Sequence, residues 1–463
     1  MTDLHHLSAV ELLDGFARRT LSPVEVADSC LARIDQLDGR VNGFCVVDPP
    51  TTLAMARESE RRWQRGEPAG LVDGVPVAVK DVFLTHGWPT RRGSALVDVD
   101  QPWNEDSPVV AALRRHGATL VGKTTTPELG WKGVTDSPAT GVSGNPWDPA
   151  RTSGGSSGGS ASAVALGMAP LALGTDGGGS IRIPAGFSGV VGHKPTYGLV
   201  PLWPISPYGT LAHAGPMTWT VADAALMLDV LSEPDPRDWT QLAPVAPFRH
   251  RLDGGVAGLR VAFSPTLGWV DVDPEVADLV RSAVEVLEEL GAHVEEADPG
   301  FDDPVEVFEA LWNSGAAAAT AGASEADLAK MDPGLVEIIE DGRRYSGVDV
   351  VQATLRRGAL GVRMGQFHQR FDLLVTPTLP IAAFEAGREV PEGWAHRRWM
   401  SWTPFSYPFN LTQQPAASVP CGFTSRGLPV GLQLVGPRHA DDLVLRAAHA
   451  YQTARPLTAR RPA

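Results

Sequence analysis

Two stretches rich in glycine and serine, residues 151–160 and 174–185, flank a short run of small apolar residues and limit what this chain can fold into. Glycine lets the backbone approach another group closely and adopt positive φ, but ordering it costs conformational entropy. A folded protein therefore keeps so much glycine only where the shape of the backbone matters. Hydroxyls lie among the glycines, at Ser156, Ser157 and Ser180. The pattern predicts an ordered functional loop inside the main body of the chain.

A serine hydroxyl is a weak nucleophile and needs a base within hydrogen-bond reach. Residues 74–81 (GVPVAVKD) form an apolar, β-branched run that is typical of a buried strand and that carries Lys80 near its end. Lysine acts as a base when burial lowers its pKa, and its apolar neighbours favour such burial. Because a hydroxyl both donates and accepts, Ser156 can pass a proton from Ser180 to Lys80.

Backbone N–H groups next to the second serine are predicted to stabilise the oxyanion that forms on the substrate. Removing one such donor typically costs about 3–4 kcal/mol of transition-state stabilisation. The residues expected to supply this oxyanion hole are Gly177, Gly178, Gly179 and Ser180.

The composition is typical of a globular protein, with 43% hydrophobic and 20% charged residues among 463. A net charge of −15 argues against nucleic acid as a partner, because phosphate binders carry clustered lysine and arginine. No histidine or cysteine pair has zinc spacing, so no metal or cofactor is predicted. No apolar run is long enough for a membrane span and no signal peptide is evident, so cytoplasmic localisation is expected.

Helix and strand patterns alternate along the chain, which predicts an α/β fold with helices on both faces of a sheet. Two capping boxes, at residues 8–11 and 22–25, predict the first two helices. Strands are predicted over residues 41–47, 75–79, 118–121, 261–263, 293–296 and 371–378, and helices over 51–66, 106–116, 181–189, 220–231, 276–290 and within 303–370.

Residues 117–124 match the P-loop pattern GxxxxGK[ST], which would indicate nucleotide binding. A phosphate cradle needs a flexible loop between a strand and a helix, whereas the interior here, Ala-Thr-Leu-Val, favours a strand. The preferred interpretation is a core strand that ends in a surface lysine, Lys123.

Residues 154–158 match GxSxG, the nucleophile elbow of α/β-hydrolases. That elbow requires a strand directly before Ser156 and a histidine partner such as His193 or His213. Residues 145–152 contain two prolines and no strand pattern, so this interpretation is disfavoured.

The block at residues 145–196 resembles the signature of the amidase signature family, serine hydrolases that use a Ser–cis-Ser–Lys triad. Residues 74–81 resemble the lysine segment of that family, so the resemblance spans most of the chain. The matching motifs are GGSSGGS at 154–160, GTDGGGSIRIP at 174–184, GHKPT at 192–196, and the closing strands at 415–420 and 427–434.

This resemblance implies Ser180 as the nucleophile, Ser156 as the cis-serine and Lys80 as the base. It implies a single α/β/α domain over residues 1–463, with a central mixed β-sheet flanked by helices. A cis peptide bond before a residue other than proline costs roughly 3–4 kcal/mol, so a tightly packed loop is expected around Ser156. One departure is Gly177, where many members carry threonine or isoleucine, although the backbone donor survives the change.

Four further residues in the motifs are expected to support the site. Asp176 and Arg182 fall at family positions and are interpreted as an ion pair that braces the loop. Ser157 either hydrogen-bonds Lys80 or completes the turn, and Thr175 either orients the loop or fills the core. Aromatic residues are expected to line an acyl or aryl pocket, although ordinary core packing is the usual role of any one of them. They are Trp203, Tyr208, Trp394, Trp399 and Trp402.

The family resemblance also suggests how the chain is divided. Residues 1–70 are predicted as an N-terminal helical region, 71–230 as the catalytic core, 231–395 as a variable lobe over the site, and 396–463 as closing strands and a helix.

The predicted activity is hydrolysis of a C–N acyl bond through an acyl-Ser180 intermediate. The expected partner is a small amide, aryl amide, carbamate (urethane) or ester, and a homodimer is an allowed assembly. The main alternative is one component of a glutamine-dependent amidotransferase, which would need a carboxylate clamp such as Arg397 and Arg398. A non-catalytic protein that kept the fold is disfavoured, because all three triad positions are filled.

Overall fold

The computed structural model describes residues 3–243, 247–457 and 461–462, so parts of the predicted N-terminal region, variable lobe and C-terminal region lie outside them. Eleven of the described strands form one sheet, and the other two, β4 and β5, pair with each other. The strands are β1 Phe44–Val47, β2 Pro76–Lys80, β3 Thr119–Thr124, β4 Asp136–Ser137, β5 Gly141–Val142, β6 Leu171–Asp176, β7 Val191–Lys194, β8 His213–Thr218, β9 Arg260–Phe263, β10 His293–Glu296, β11 Leu373–Pro377, β12 Ala416–Phe423 and β13 Pro429–Val435.

Helices separate most of the strands, and Ser8 and Ser22 close the capping boxes predicted for the first two. The α-helices are α1 Ala9–Ala17, α2 Pro23–Val41, α3 Pro49–Arg65, α4 Pro108–Arg115, α5 Gly158–Ala165, α6 Arg182–Ser188, α7 Val221–Leu231, α8 Pro274–Glu289, α9 Val305–Ala319, α10 Glu325–Leu328, α11 Pro333–Gly342, α12 Gly347–Arg370, α13 Pro408–Leu411 and α14 Asp441–Ala454. The strand predicted over 41–47 starts later, because α2 continues to Val41 and ends at Asn42 in the left-handed conformation.

The sheet is mixed, in the order β1-β3-β2-β6-β8-β7-β12-β13-β11-β9-β10. Strand β2 runs parallel to both of its neighbours, β3 and β6. Strands β6, β8 and β7 are antiparallel to one another in turn. The prediction of an α/β fold around a mixed sheet is confirmed. All four predicted regions contribute strands to this sheet, while the boundaries between the regions stay predictions.

Side-chain alternation along β2 shows the two covered faces of the sheet. Val77 and Val79 pack in an apolar cluster with helices α1, α4, α7, α8 and α14. Ala78 points the other way, into a cluster with α2 and α5. Because successive side chains of a strand alternate, Lys80 lies on the same face as Ala78, towards the glycine-serine stretches. The α/β/α layering thus places Lys80 inside the protein, at the end of a fully buried strand.

Residues 119–124 form strand β3, so the interior of the P-loop match is a strand and no phosphate cradle exists there. The P-loop alternative is therefore wrong. The expectation of a surface lysine is also wrong, because Lys123 is fully buried. Among the described residues, no helix is long and apolar enough to cross a membrane.

Candidate active site

The Lys80 side chain ends among three hydroxyls. Its Nζ lies 2.7 Å from Ser156 Oγ, 2.8 Å from Ser157 Oγ and 2.7 Å from Thr175 Oγ1. The lysine is fully buried. Burial lowers its pKa well below the ordinary value, and the more distant charge of Asp176 opposes this shift only in part. A buried amine without a contacting carboxylate is favoured in its neutral form, as a base requires.

The hydrogen bonds around Ser157 indicate how a neutral Lys80 is oriented. The Ser157 hydroxyl donates to the Thr175 carbonyl at 3.2 Å, so its oxygen can only accept from Lys80. A neutral amine has two N–H donors and one lone pair, so three hydroxyl contacts satisfy it completely. The lone pair is left for the proton of Ser156 or Thr175. Of the two predicted roles of Ser157, the geometry shows the contact with Lys80.

A second buried lysine, Lys123 on the neighbouring strand β3, provides an internal contrast. Its Nζ donates to Phe83 O at 2.8 Å and Thr90 Oγ1 at 2.7 Å, and it lies 3.4 Å from Asp81 Oδ1. Three acceptors, one of them a carboxylate, suit the three donors of an ammonium group. Two lysines of equal burial thus have different surroundings, and only Lys80 is surrounded by hydroxyls alone.

Ser156 and Ser180 line the same cavity, which has a volume of about 270 Å³. The peptide bond between Gly155 and Ser156 is cis. Ser180 lies between strand β6 and helix α6, is 4% exposed and forms part of the cavity wall. Gly177 also reaches this wall. The structure therefore brings Ser156 and Ser180 to one cavity, with Lys80 in contact with Ser156.

The predicted oxyanion hole differs from the structure at one position. The Gly179 N–H donates to Asp176 Oδ1 at 2.7 Å, so it is occupied within the protein and not free for a substrate oxygen. Within the described part of the chain, the N–H groups of Gly177, Gly178 and Ser180 have no acceptor. Gly177 and Ser180 line the cavity. The Ser406 hydroxyl donates a hydrogen bond to the Gly178 carbonyl at 2.7 Å.

Asp176 and Arg182 form a fully buried ion pair with Nε–Oδ2 and Nη2–Oδ1 distances of 2.9 and 3.0 Å. Burial by itself would raise the pKa of the Asp176 carboxyl. The charge and hydrogen bonds of Arg182 outweigh that effect and hold the pKa well below its usual range. Arg182 also donates to Asn410 Oδ1 at 2.7 Å and Gln433 Oε1 at 2.9 Å. This network ties the loop with Ser180 to the C-terminal part of the chain.

Arg182→Met is expected to lower the free energy of unfolding by about 3–5 kcal/mol, because it leaves the buried Asp176 carboxylate without its counter-charge. The matched control is Arg397→Met, since Arg397 pairs with Glu337 on the surface and is 76% exposed. Surface pairs of this kind contribute about 0–1 kcal/mol. Urea unfolding followed by circular dichroism measures both variants. Equal losses in the two would contradict the bracing interpretation.

Two of the five predicted pocket aromatics, Trp203 and Tyr208, line the cavity. The other three do not. Trp399 and Trp402 are fully buried: Trp399 packs behind Gly178, and Trp402 stacks on Phe187 with ring centroids 5.7 Å apart. Trp394 is half-buried and donates its indole N–H to Ser401 Oγ at 2.9 Å. Core packing, the ordinary role of aromatics, explains these three residues.

Sequence reasoning missed Trp312 of helix α9, which closes one side of the cavity. Its ring stacks on Tyr208 with centroids 3.7 Å apart, and its indole N–H donates to Trp131 O at 3.1 Å. A Cβ at Gly177 would lie 2.8 Å from this ring. The indole thus fills the space that a larger side chain at position 177 would need, which explains the departure from the family pattern. No signal in the sequence connected these two distant residues.

The nucleophile-elbow alternative is wrong, because the residues directly before Ser156 form no strand and its hydroxyl contacts lysine. The two candidate histidines have other partners. His193 Nε2 lies 3.2 Å from Asp441 Oδ1, and His213 Nδ1 lies 2.8 Å from the Leu211 carbonyl. Neither histidine lines the cavity that holds Ser156.

Comparison with known proteins identifies the family of this chain. Residues 25–445 match the Amidase family. The chain is 39% identical to an acylamidase from Rhodococcus erythropolis, over 100% of this chain and 98% of that protein. It is 36% identical to the GatA-type component of the glutamyl-tRNA(Gln) amidotransferase from Chloroflexus aurantiacus, over 98% and 97% of the two chains. The crystal structure of a bacterial aryl acylamidase of the amidase signature family superposes with a TM-score of 0.92, at 32% identity and 98% coverage of both chains.

The chain therefore belongs to the amidase signature family and is a relative of acylamidases and of glutamyl-tRNA(Gln) amidotransferase components. It is a hydrolase of the class that acts on C–N bonds other than peptide bonds. Membership of the family implies a small amide as substrate.

Proposed function

We propose that this protein hydrolyses aryl or other apolar amides through an acyl-enzyme on Ser180, with Ser156 and Lys80 as the proton relay. The observation that carries the proposal is the buried Lys80 amine, which contacts three hydroxyls and no carboxylate. The cavity around the two serines is mostly apolar and aromatic, which suits an aryl group. The similarity to an acylamidase and to an aryl acylamidase supports the same class of substrate.

The donors and acceptors around Lys80 support this relay. The lone pair of neutral Lys80 accepts the Ser156 proton, and Ser156 accepts the Ser180 proton as Ser180 attacks the carbonyl carbon of the substrate. The N–H groups of Gly177, Gly178 and Ser180 stabilise the oxyanion as it forms. When the C–N bond breaks, the proton returns through Ser156 to the leaving amine. Water then releases the acyl group from Ser180 by the same relay in reverse.

Carbamates and esters place their carbonyl oxygen in the same oxyanion hole, so cleavage of urethanes and esters belongs to this proposal as additional activity. The amidotransferase alternative has less support. A glutamine substrate presents both a carboxylate and an ammonium group, but no aspartate or glutamate is among the described residues that line the cavity. Arg397 and Arg398, the predicted carboxylate clamp, lie elsewhere and pair with Glu337.

A substrate panel tests the proposed function. We expect aryl amides such as para-nitroacetanilide to be hydrolysed, because their ring suits the aromatic walls formed by Trp203 and Trp312. L-glutamine should be turned over at least about 100-fold less efficiently, since its ammonium group finds no acidic partner in this cavity. Release of nitroaniline and of ammonia measures the two reactions, and para-nitrophenyl acetate and an aryl carbamate complete the panel. Glutamine as the best substrate would contradict the proposal.

A further inference from the structure

Arg92 lies in the loop after strand β2 and lines the cavity that holds Ser156 and Ser180. Among the described residues of that lining it is the only one with a charged side chain. Its neighbours in the wall include Phe83 and Leu129, so Arg92 contributes a cation to a mostly apolar wall. Arg92 is part-buried, so its charge is hydrated in the free protein and available to an anionic ligand.

The backbone at Arg92 is held on both sides. Its N–H donates to the Asp81 carbonyl at 2.9 Å, and its own carbonyl accepts from the Leu129 N–H at 2.7 Å. The residue adopts φ +55°, a conformation that residues other than glycine use uncommonly. These two hydrogen bonds therefore fix the position from which the side chain starts. Arg92 thus contributes to the cavity wall from a constrained backbone.

The charges next to Arg92 leave its guanidinium without a matched partner. Asp81 is the nearby carboxylate, and it already pairs with the ammonium group of Lys123 and accepts the N–H of Arg91 at 3.2 Å. Within the described residues Arg92 forms no ion pair and its side chain makes no hydrogen bond. Asp81 is thus paired with Lys123, and the charge of Arg92 has no carboxylate in contact among the described residues.

We infer that Arg92 binds a compact oxyanion, a carboxylate on the substrate away from the scissile bond. The inference rests on the proposed function and narrows its substrate class to apolar amides that carry an anionic group. A guanidinium matches a carboxylate with two parallel N–H donors, which makes it selective for this group over a neutral one. Because the cavity offers no acidic side chain among its described lining residues, an anion without an ammonium group is favoured over an amino acid.

Matched ligand pairs test the role of Arg92. The first pair, para-acetamidobenzoate and para-nitroacetanilide, places a carboxylate or its neutral isostere on the amine side. The second pair, N-phenylsuccinamate and the anilide of levulinic acid, does the same on the acyl side. Kd is measured by calorimetry with the Ser180→Ala protein, and KM and kcat with active enzyme. In Arg92→Met, we expect Kd and KM for the carboxylate member of at least one pair to rise about 10- to 100-fold.

In Arg92→Met, Kd and KM for the neutral member of each pair should change less than about threefold. Arg92→Lys should keep part of the affinity for the carboxylate member, because lysine keeps the charge. The matched control is Arg91→Met, the same change in net charge at a neighbour that is not part of the cavity wall. Arg91→Met should leave Kd and KM unchanged for both members of each pair. Equal effects on charged and neutral members, or no effect in either pair, would overturn the assignment. If wild-type enzyme hydrolyses none of the four compounds, the proposed function fails, while calorimetry still tests Arg92.

Discussion

Ser180→Ala is expected to lower kcat for an aryl amide by about 10⁴- to 10⁶-fold, the range found when the nucleophile of a serine hydrolase is removed. The reason is geometric: Ser180 lies at the cavity wall, beside amides that have no acceptor among the described residues. The same variant should lose all covalent labelling by a fluorophosphonate, measured by intact-mass spectrometry, because the probe needs an activated hydroxyl.

The control for this variant is Ser160→Ala in the same glycine-serine stretch. Ser160 is buried and hydrogen-bonds Thr124 Oγ1 at 2.7 Å and the Leu173 carbonyl at 3.0 Å, and it is not among the three hydroxyls that contact Lys80. Its folded fraction should still be labelled at Ser180. Labelling that persists at Ser156 in Ser180→Ala would show that the nucleophile has been assigned to the wrong serine.

Lys80→Met is expected to lower kcat/KM by about 10²- to 10⁴-fold, the usual contribution of a positioned general base. In the wild type, kcat/KM should rise with pH and then level off. Below the pKa of Lys80 the amine is protonated and cannot accept from Ser156, and above it the neutral base predominates. Since burial holds that pKa well below its ordinary value of 10.5, the rising limb should also lie well below pH 10.5.

A profile of log kcat/KM against pH measures this limb, and Lys123→Met is the matched control. Lys123 is as buried as Lys80, but it is paired with Asp81. Its loss should decrease stability, by about 3–5 kcal/mol for an orphaned buried charge, while the folded enzyme keeps the pH limb. If the rising limb of the pH profile shifted in Lys123→Met and remained in Lys80→Met, the assignment of Lys80 as the base would be refuted.

The buried position of Lys80 could be predicted because two local patterns agree. A β-branched run bounded by glycine predicts a buried strand, and the alternation of its side chains puts Lys80 on the face of Ala78. The glycine-serine stretches also predict a functional loop from a local pattern, the close spacing of glycines and hydroxyls. Their role in the triad came from the family resemblance, since spacing alone does not bring Ser156 and Ser180 to one cavity.

What could not be predicted depends on contacts between distant parts of the chain. Lys123 lies near the end of its strand, as Lys80 does, and it is covered by Phe83 and Thr90 of another loop, which no local pattern reveals. Gly179 lies in the same glycine run as the predicted donors beside it. Only the fold shows that its N–H donates to the Asp176 carboxylate. Oligomeric state and cytoplasmic localisation stay predictions from the sequence.

The prediction of an aromatic pocket rests on the clustering of aromatic residues in an irregular segment. Such clustering does not show whether a side chain lines a cavity or packs in the hydrophobic core. Trp399 and Trp402 lie one layer below the cavity surface, whereas Trp312 reaches it from an alanine-rich helix. Whether an indole faces a cavity or the core depends on how α9 packs against the loop at residues 177–180. That packing is a property of the whole fold.

The contacts of Lys80 all come from residues 156, 157 and 175, whereas most of the cavity wall comes from residues 82–130, 202–212 and 312–319. Reactivity and selectivity are thus encoded in separate portions of the polypeptide. Substitutions in the wall can change which molecules enter without altering the surroundings of the Lys80 amine. Such modularity lets one hydrolytic apparatus be adapted to new compounds during evolution by changes in these wall segments alone.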